Sequence, residues 1–183
     1  NPVGWLLMHD GICFAGGNTG PLDGDQRVPG CHNGGALIST ANNEYAAVPG
    51  GPMNCSLCRW KAAEKHHGPG LVATMNNQLY YLHQEQEAAV KHSASIAEMK
   101  KQKARDEAAQ IPFGRMRDLK TAERVYETSM DRLSILSASV AGTYKMIKRL
   151  ELLDGDTGSG MALVSAGDQT TMNAVLEDTD SEL

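Results

Sequence analysis

The arrangement of apolar and polar residues changes abruptly near residue 70. From Leu71, the stretch "LVATMNNQLYYLHQEQEAAVKHSASIAEMKKQKARDEAAQ" holds neither Gly nor Pro for forty residues and is dominated by Ala, Gln, Glu, Lys and Met, all good helix formers. Met75, Leu79, Leu82, Gln86, Ala89, Ser93 and Ile96 recur at alternating 4–3 spacing, and the pattern fades toward Lys100 and Lys103. Such a helix would run about 60 Å at a rise of about 1.5 Å per residue. "IPFG" (111–114) interrupts it, because Pro112 cannot continue a helix and Gly114 permits a turn. A second 4–3 row follows between about Arg115 and Leu153: Tyr126, Met130, Leu133, Ser137, Val140, Tyr144 and Ile147. Two helices of similar length across a short Pro–Gly turn predict an antiparallel helical hairpin of coiled-coil type over 71–153.

Residues before 70 have the opposite texture. "FAGGNTGPLDGDQRVPGCHNGG" and "VPGGPMN" are dense in Gly, Pro and Asn, which forbids long helices and makes turns. Short strands fit "GALIST" (35–40) and "EYAAV" (44–48). This segment has little apolar material to bury and needs a staple to hold one shape. The tail, 154–183, is rich in Gly, Ser, Thr and Asp, with one apolar stretch, "MALVS". It reads as a solvated, mobile acidic end, with room for a helical turn or two in "TTMNAVLEDTDSEL". The chain is thus expected to be mainly α, with a loop-rich module (1–70), the hairpin (71–153) and the tail (154–183).

Composition sharpens this. Aromatic residues make up only 5%, and the 41% hydrophobic share leans on Ala and Met, which suits long, thinly packed helices. The net charge of -5 conceals a segregation: one base and four acids in 1–58, sixteen bases and ten acids in 59–149, and eight acids without a base in 150–183. No apolar run approaches the roughly 18 residues of a membrane span. "GWLLM" (4–8) is too short for a signal-peptide core and has no basic residue before it. No membrane partner is expected. The chain begins at Asn1, so a piece of a longer protein or a processed product is expected.

Four cysteines stand at Cys13, Cys31, Cys55 and Cys58, the last two in "NCSLCRW". Thiolates three residues apart across a tight turn can reach one tetrahedral ion at about 2.3 Å, with the other two ligands coming from distant loops. A structural Zn2+ on all four would supply folding energy that the Gly-rich segment lacks. Two disulfides, a redox pair and incidental thiols are the alternatives; nothing else suggests export, and a redox pair would want an α/β setting. His32 or His9 could replace one cysteine. Trp60 is expected to cap the zinc core, and His66 and His67 to be exposed in a loop leading into the helix. His83 and His92 are nine apart, not a metal pair, and are expected to be solvated. Lys100, Lys101, Lys103 and Arg105 face Arg115, Arg117 and Lys120 across the hairpin turn, and together with Arg59 could meet phosphates. No phosphate-binding loop, His-Glu-x-x-His or nucleophile elbow occurs, so neither catalysis by this segment nor a small-molecule substrate is expected.

"HDGICFAGGNTG", "VPGCHNGG", "GPMNCSLCRW" and "HGPGLVATMNNQLYY" together resemble the C-terminal region of large integrase-like proteins of bacterial mobile elements, of the tyrosine-recombinase type or their partner proteins. The resemblance covers roughly residues 4–90, and its most specific part is Cys-x-x-Cys-Arg-Trp with the preceding Gly-Pro. Phe14 stands where that pattern commonly has proline, and "KAAEKHHGPG" replaces an apolar stretch ending in Thr-Gly-Pro. The resemblance implies a non-catalytic accessory region in the bacterial cytoplasm, its catalytic residues upstream. No histidine here has an arginine three positions later, and none of Tyr80, Tyr81, Tyr126 and Tyr144 is assigned as a nucleophile. DNA, a protein partner or a second copy bound through the hairpin are the implied partners. A zinc-anchored oligomerisation module without nucleic-acid contact is the alternative.

Overall fold

The computed structural model describes residues 4–20, 28–153 and 163–166. In chain order the elements are β1 (Leu6–Met8), β2 (Gly11–Cys13), β3 (Leu37–Ser39), β4 (Glu44–Tyr45), β5 (Lys61–Ala63), α1 (Gly68–Ala108), α2 (Met116–Leu153) and β6 (Val164–Ser165). Short 3-10 turns lie at Cys31–Asn33, Cys55–Leu57 and Lys65–His67. The protein is mainly α, as the texture of 71–153 predicts, and among the described residues no helix is long and apolar enough to cross a membrane. It divides into two compact units, Asn1–Gln78 with Ala138–Leu183, and Leu79–Ser137.

The first unit is built on an antiparallel four-stranded sheet in the order β1-β2-β5-β6, beside a separate β3–β4 pair. Only β3 and β4 were expected from the pattern. The sheet strands span two or three residues each, too short to display a period of two, and β5 is buried at all three positions. Two clusters form the core. Ile12, Cys13, Phe14, Val48, Cys58, Trp60 and Ala62 make one; Ala63, Leu71, Met146, Leu150 and Val164 make the other, so both helices are pinned to the sheet. The apolar stretch of the tail supplies β6, with Ala62 opposite Ser165 and Ala63 opposite Val164; the expectation of a mobile end for 154–162 and 167–183 lies outside the described residues.

α1 begins at Gly68, three residues before the expected start, with Pro69 in its first turn, where a missing N–H is harmless. His67 corrects an expectation: it is buried, and its Nδ1 accepts the Glu64 N–H at 3.1 Å. His66 is exposed, its ring stacked on that of His67. Toward the end of α2, Gly142 lets the helix come close to the Cys55–Leu57 turn. A Cβ added there would stand 2.3 Å from the Ser56 carbonyl oxygen.

In the second unit the helical segments run antiparallel, since Glu85 pairs with Ser129 near one end and Lys100 with Glu123 toward the other. Ile96 and Met99 bury against Leu119. The inward row is Leu82, Glu85, Ala89, His92, Ile96 and Met99 on α1, and Leu119, Ala122, Tyr126, Ser129, Leu133 and Leu136 on α2. The expected row is right at alternate positions and one residue late at the others: Leu79, Gln86, Ser93, Met130 and Ser137 are exposed. Glu85 and Ser129 take the inward places because they satisfy each other. His92 is likewise half-buried rather than solvated.

Candidate metal centre

The four cysteines lie on three short, adjoining segments. Cys13 ends β2; Cys31 opens a 3-10 turn; Cys55 opens another, which Cys58 closes by donating its N–H to Cys55 O at 3.2 Å. Backbone bonds stitch the segments together: Phe14 N–H to Trp60 O (2.9 Å), Arg59 N–H to Gly34 O (2.8 Å) and Val48 N–H to Cys31 O (2.9 Å). Cys13 and Cys58 are buried, Cys31 and Cys55 half-buried, and none is in a disulfide. Gly34 is required where it stands, because a Cβ there would lie 2.7 Å from Cys58 Sγ.

Electrostatics report the same convergence. Burial pushes the Cys58 thiol up to about 12; a hydrogen bond from the Trp60 backbone opposes this, while the neighbouring Cys55, Cys13 and Cys31 thiols add to it. Burial also raises Cys55, opposed by the Lys61 charge and reinforced by Cys13, Asp10 and Cys31. Ionised neighbours disfavour the thiolate at Cys55 and at Cys58, a condition that a divalent cation relieves. Among the described residues, no three His, Cys, Asp or Glu side chains stand in metal-ligating geometry. The arrangement is four thiols on adjoining turns, in mutual electrostatic reach.

The turns are held by side chains the sequence did not single out. Asn33 Oδ1 accepts the Gly30 N–H and the Trp60 Nε1–H, both at 3.1 Å, and its Nδ2 donates to Val28 O at 3.0 Å. Ser56 Oγ accepts from Gln78 Nε2 (2.7 Å) and Thr143 Oγ1 (2.8 Å), and Asn54 Nδ2 donates to Ser139 Oγ at 3.0 Å. Behind the thiols lies a buried ion pair, Lys61 Nζ to Asp10 Oδ2 at 2.6 Å, with Thr74 Oγ1 donating to the same oxygen at 2.9 Å. Burial alone would raise the Asp10 pKa, but the hydrogen bonds from Lys61 and Thr74 hold the carboxyl below its ordinary range. Pairwise hydrogen bonds between residues so far apart in the chain leave no periodic signature.

The remaining candidates separate. Trp60 is buried in one cluster with Cys13 and Cys58. Arg59 is half-buried; its guanidinium stacks on Tyr45 at 3.5 Å and on Trp60 at 3.8 Å, and its Nε donates to Asn33 O at 2.8 Å. Both ring nitrogens of His32 are shut off from solvent and find no partner among the described residues, whereas His9 Nε2 lies 3.3 Å from Thr74 Oγ1. Around the helical turn, Lys100 pairs with Glu123 (2.8 Å), Lys103 with Glu107 (3.6 Å) and Arg115 with Asp118 (3.3 Å). Lys101, Arg105, Arg117 and Lys120 are exposed. Arg117 and Lys120 share a shallow concavity with Thr121 and Arg124; the i, i+3, i+7 spacing of these three bases was the signal for Arg124.

No family model matches this chain, and no curated protein or solved structure does.

Proposed function

We propose that Cys13, Cys31, Cys55 and Cys58 hold a structural zinc ion. The observation that carries the reading is the placement of the four thiols on adjoining, hydrogen-bonded turns, close enough for Cys13 and Cys31 to act on both Cys55 and Cys58. Sulfur donors in this number suit Zn2+, and the sheet around them has few apolar side chains to hold it otherwise. The test is metal analysis of the purified chain with a thiol count. One zinc per chain, lost to a chelator together with the buried environment of Trp60, is the expected result. Four reduced thiols in an ordered, metal-free module would overturn the reading.

With that module, we read the chain as a non-catalytic, C-terminal or accessory region of a mobile-element DNA integrase or recombinase. The reading is supported by the four quoted segments and by exposed bases beside the helical turn. In this reading the coiled-coil hairpin meets DNA through Lys101, Arg105, Arg117 and Lys120 more than through the ion-paired Lys100, Lys103 and Arg115, while Arg59 is a structural side chain. Duplex DNA affinity measured against salt should fall linearly on a log–log scale, and alanine at Arg117 and Lys120 should flatten the slope. Salt-independent or absent binding sinks it. A second reading, self-association through the hairpin, is favoured by a groove between Ala89, Ser93 and Tyr126 whose rims, Val90 and Met130, are 64% and 44% exposed. Sedimentation across a concentration series without DNA separates the two.

A further inference from the structure

Lys61 is 1% exposed, the bulkiest of the fully buried side chains. An ammonium group has three N–H donors and no acceptor, and the acceptor that Lys61 finds among the described residues is Asp10 Oδ2. Its other two donors find no acceptor among the described residues, and at a buried charged group an unmade hydrogen bond is expensive. The register places the cysteines nearby. Lys61 is directly opposite Cys13 across the β2–β5 ladder, so both side chains leave the same face of the sheet, with Cβ atoms about 5 Å apart. The Lys61 stem crosses over Gly11, where an added Cβ would lie 3.0 Å from Cε. Its backbone N–H donates to Cys58 O at 3.1 Å, and its charge is the main influence opposing burial at Cys55.

We propose that Lys61 is the counter-cation of the cysteine centre, its spare N–H donors serving the sulfurs once they are thiolates. The inference rests on the zinc reading above. Four thiolates around a divalent ion leave a net charge of −2 in a buried site, and the thiol protons pass to solvent on binding. A neighbouring ammonium offsets part of that charge, while Asp10 anchors Lys61 from the other side. Outer groups of this kind set metal affinity without touching the ion. The competing account is that Lys61 is only a strut, buried because Asp10 needs it.

The two accounts separate in an Asp10→Asn background, which removes the strut's partner and keeps the lysine. Cobalt(II) titration of the full chain, followed by the sulfur-to-cobalt charge-transfer bands, reads affinity; far-UV circular dichroism reads folding. Asp10→Asn alone should bind cobalt at least as tightly as the unmutated chain. Adding Lys61→Met or Lys61→Gln should weaken binding about 10–100-fold, and Lys61→Arg in the same background should restore most of it. With Asp10 already neutral, only the thiolates demand a cation at position 61. Neutral variants that fail to fold where Lys61→Arg folds therefore support the proposal too. Neutral variants that bind as tightly as Asp10→Asn alone overturn it and leave the zinc reading intact. An unmutated chain that takes up no cobalt overturns both.

Discussion

Gly142→Ala sets two effects of opposite sign against each other. On an isolated helix, Gly to Ala stabilises by about 1 kcal/mol. In this protein the new methyl carbon would sit 2.3 Å from the Ser56 carbonyl oxygen, roughly 1 Å inside contact distance. α2 or the Cys55–Leu57 turn must move, and overpacking of this size costs about 1–3 kcal/mol. The displacement also strains the Thr143–Ser56 bond of 2.8 Å and the Asn54–Ser139 bond of 3.0 Å, each worth about 1 kcal/mol net. The balance is a loss of about 2–4 kcal/mol. Urea unfolding followed by tryptophan fluorescence reports this unit, because Trp60 is buried in it. With a slope of about 1–3 kcal/mol per molar urea, the midpoint should fall by about 1–2 M. A midpoint that rises, as helix propensity alone dictates, would refute the close approach of helix and cysteine turn.

Other outcomes are equally checkable. Asp10 has a folded-state pKa below its unfolded one, so its contribution to stability is complete above the unfolded value, near 4, and is lost as pH falls through the lower folded value. Urea midpoints of the unmutated chain should therefore drop below pH 4 more steeply than those of the Asp10→Asn variant, and parallel curves would count against the buried pair. In the folded chain Cys58, buried with its thiol pushed up to about 12, should react with iodoacetamide at pH 8 far more slowly than a peptide cysteine, because the thiolate is the nucleophile, and should reach the peptide rate only once a chelator has opened the module; mass mapping that finds the peptide rate before chelation would contradict its burial. Leu119→Ala, beneath Ile96 and Met99, should destabilise the second unit by about 2–3 kcal/mol, the low end for a leucine in a thin core that can relax. Amide exchange over 96–126 reads it, and unchanged protection there would remove Leu119 from the core.

The helices were legible because their physics is local. Forty residues without Gly or Pro, and a break at Pro112 and Gly114, fix two helices before any contact is known. The inward row was legible only by halves. The 4–3 spacing put Leu79, Gln86, Ser93, Met130 and Ser137 inside, yet the observed row holds Glu85, His92 and Ser129 at the alternate places. A carboxylate and a hydroxyl can occupy inward positions when they face each other, and no hydropathy count on one helix registers a partner on the other. The four-stranded sheet was illegible for a related reason. Its strands are two or three residues long, and pairing across about fifty or a hundred residues, as in β2–β5 and β5–β6, is chosen by burial, not propensity.

The same division runs through the candidate centre. Spacing exposed the cysteines, since a Cys-x-x-Cys turn and two further thiols in Gly-rich loops constrain one another chemically. Spacing was silent on Lys61, which in the sequence is one base in a basic stretch. A lysine is ordinarily read as solvent-facing, and the burial of this one follows from its place opposite Cys13 and from Asp10 behind it. Arg59 shows the converse. Next to the Cys-x-x-Cys turn it invites a nucleic-acid role, but Tyr45, Trp60 and Asn33 already engage both its flat faces and its Nε. A cation's task is decided by the acceptors and rings that surround it. In this chain Arg59 and Lys61, the bases beside the cysteine turns, are engaged inward, whereas Arg117, Lys120 and Arg124 stand exposed together on the helical unit.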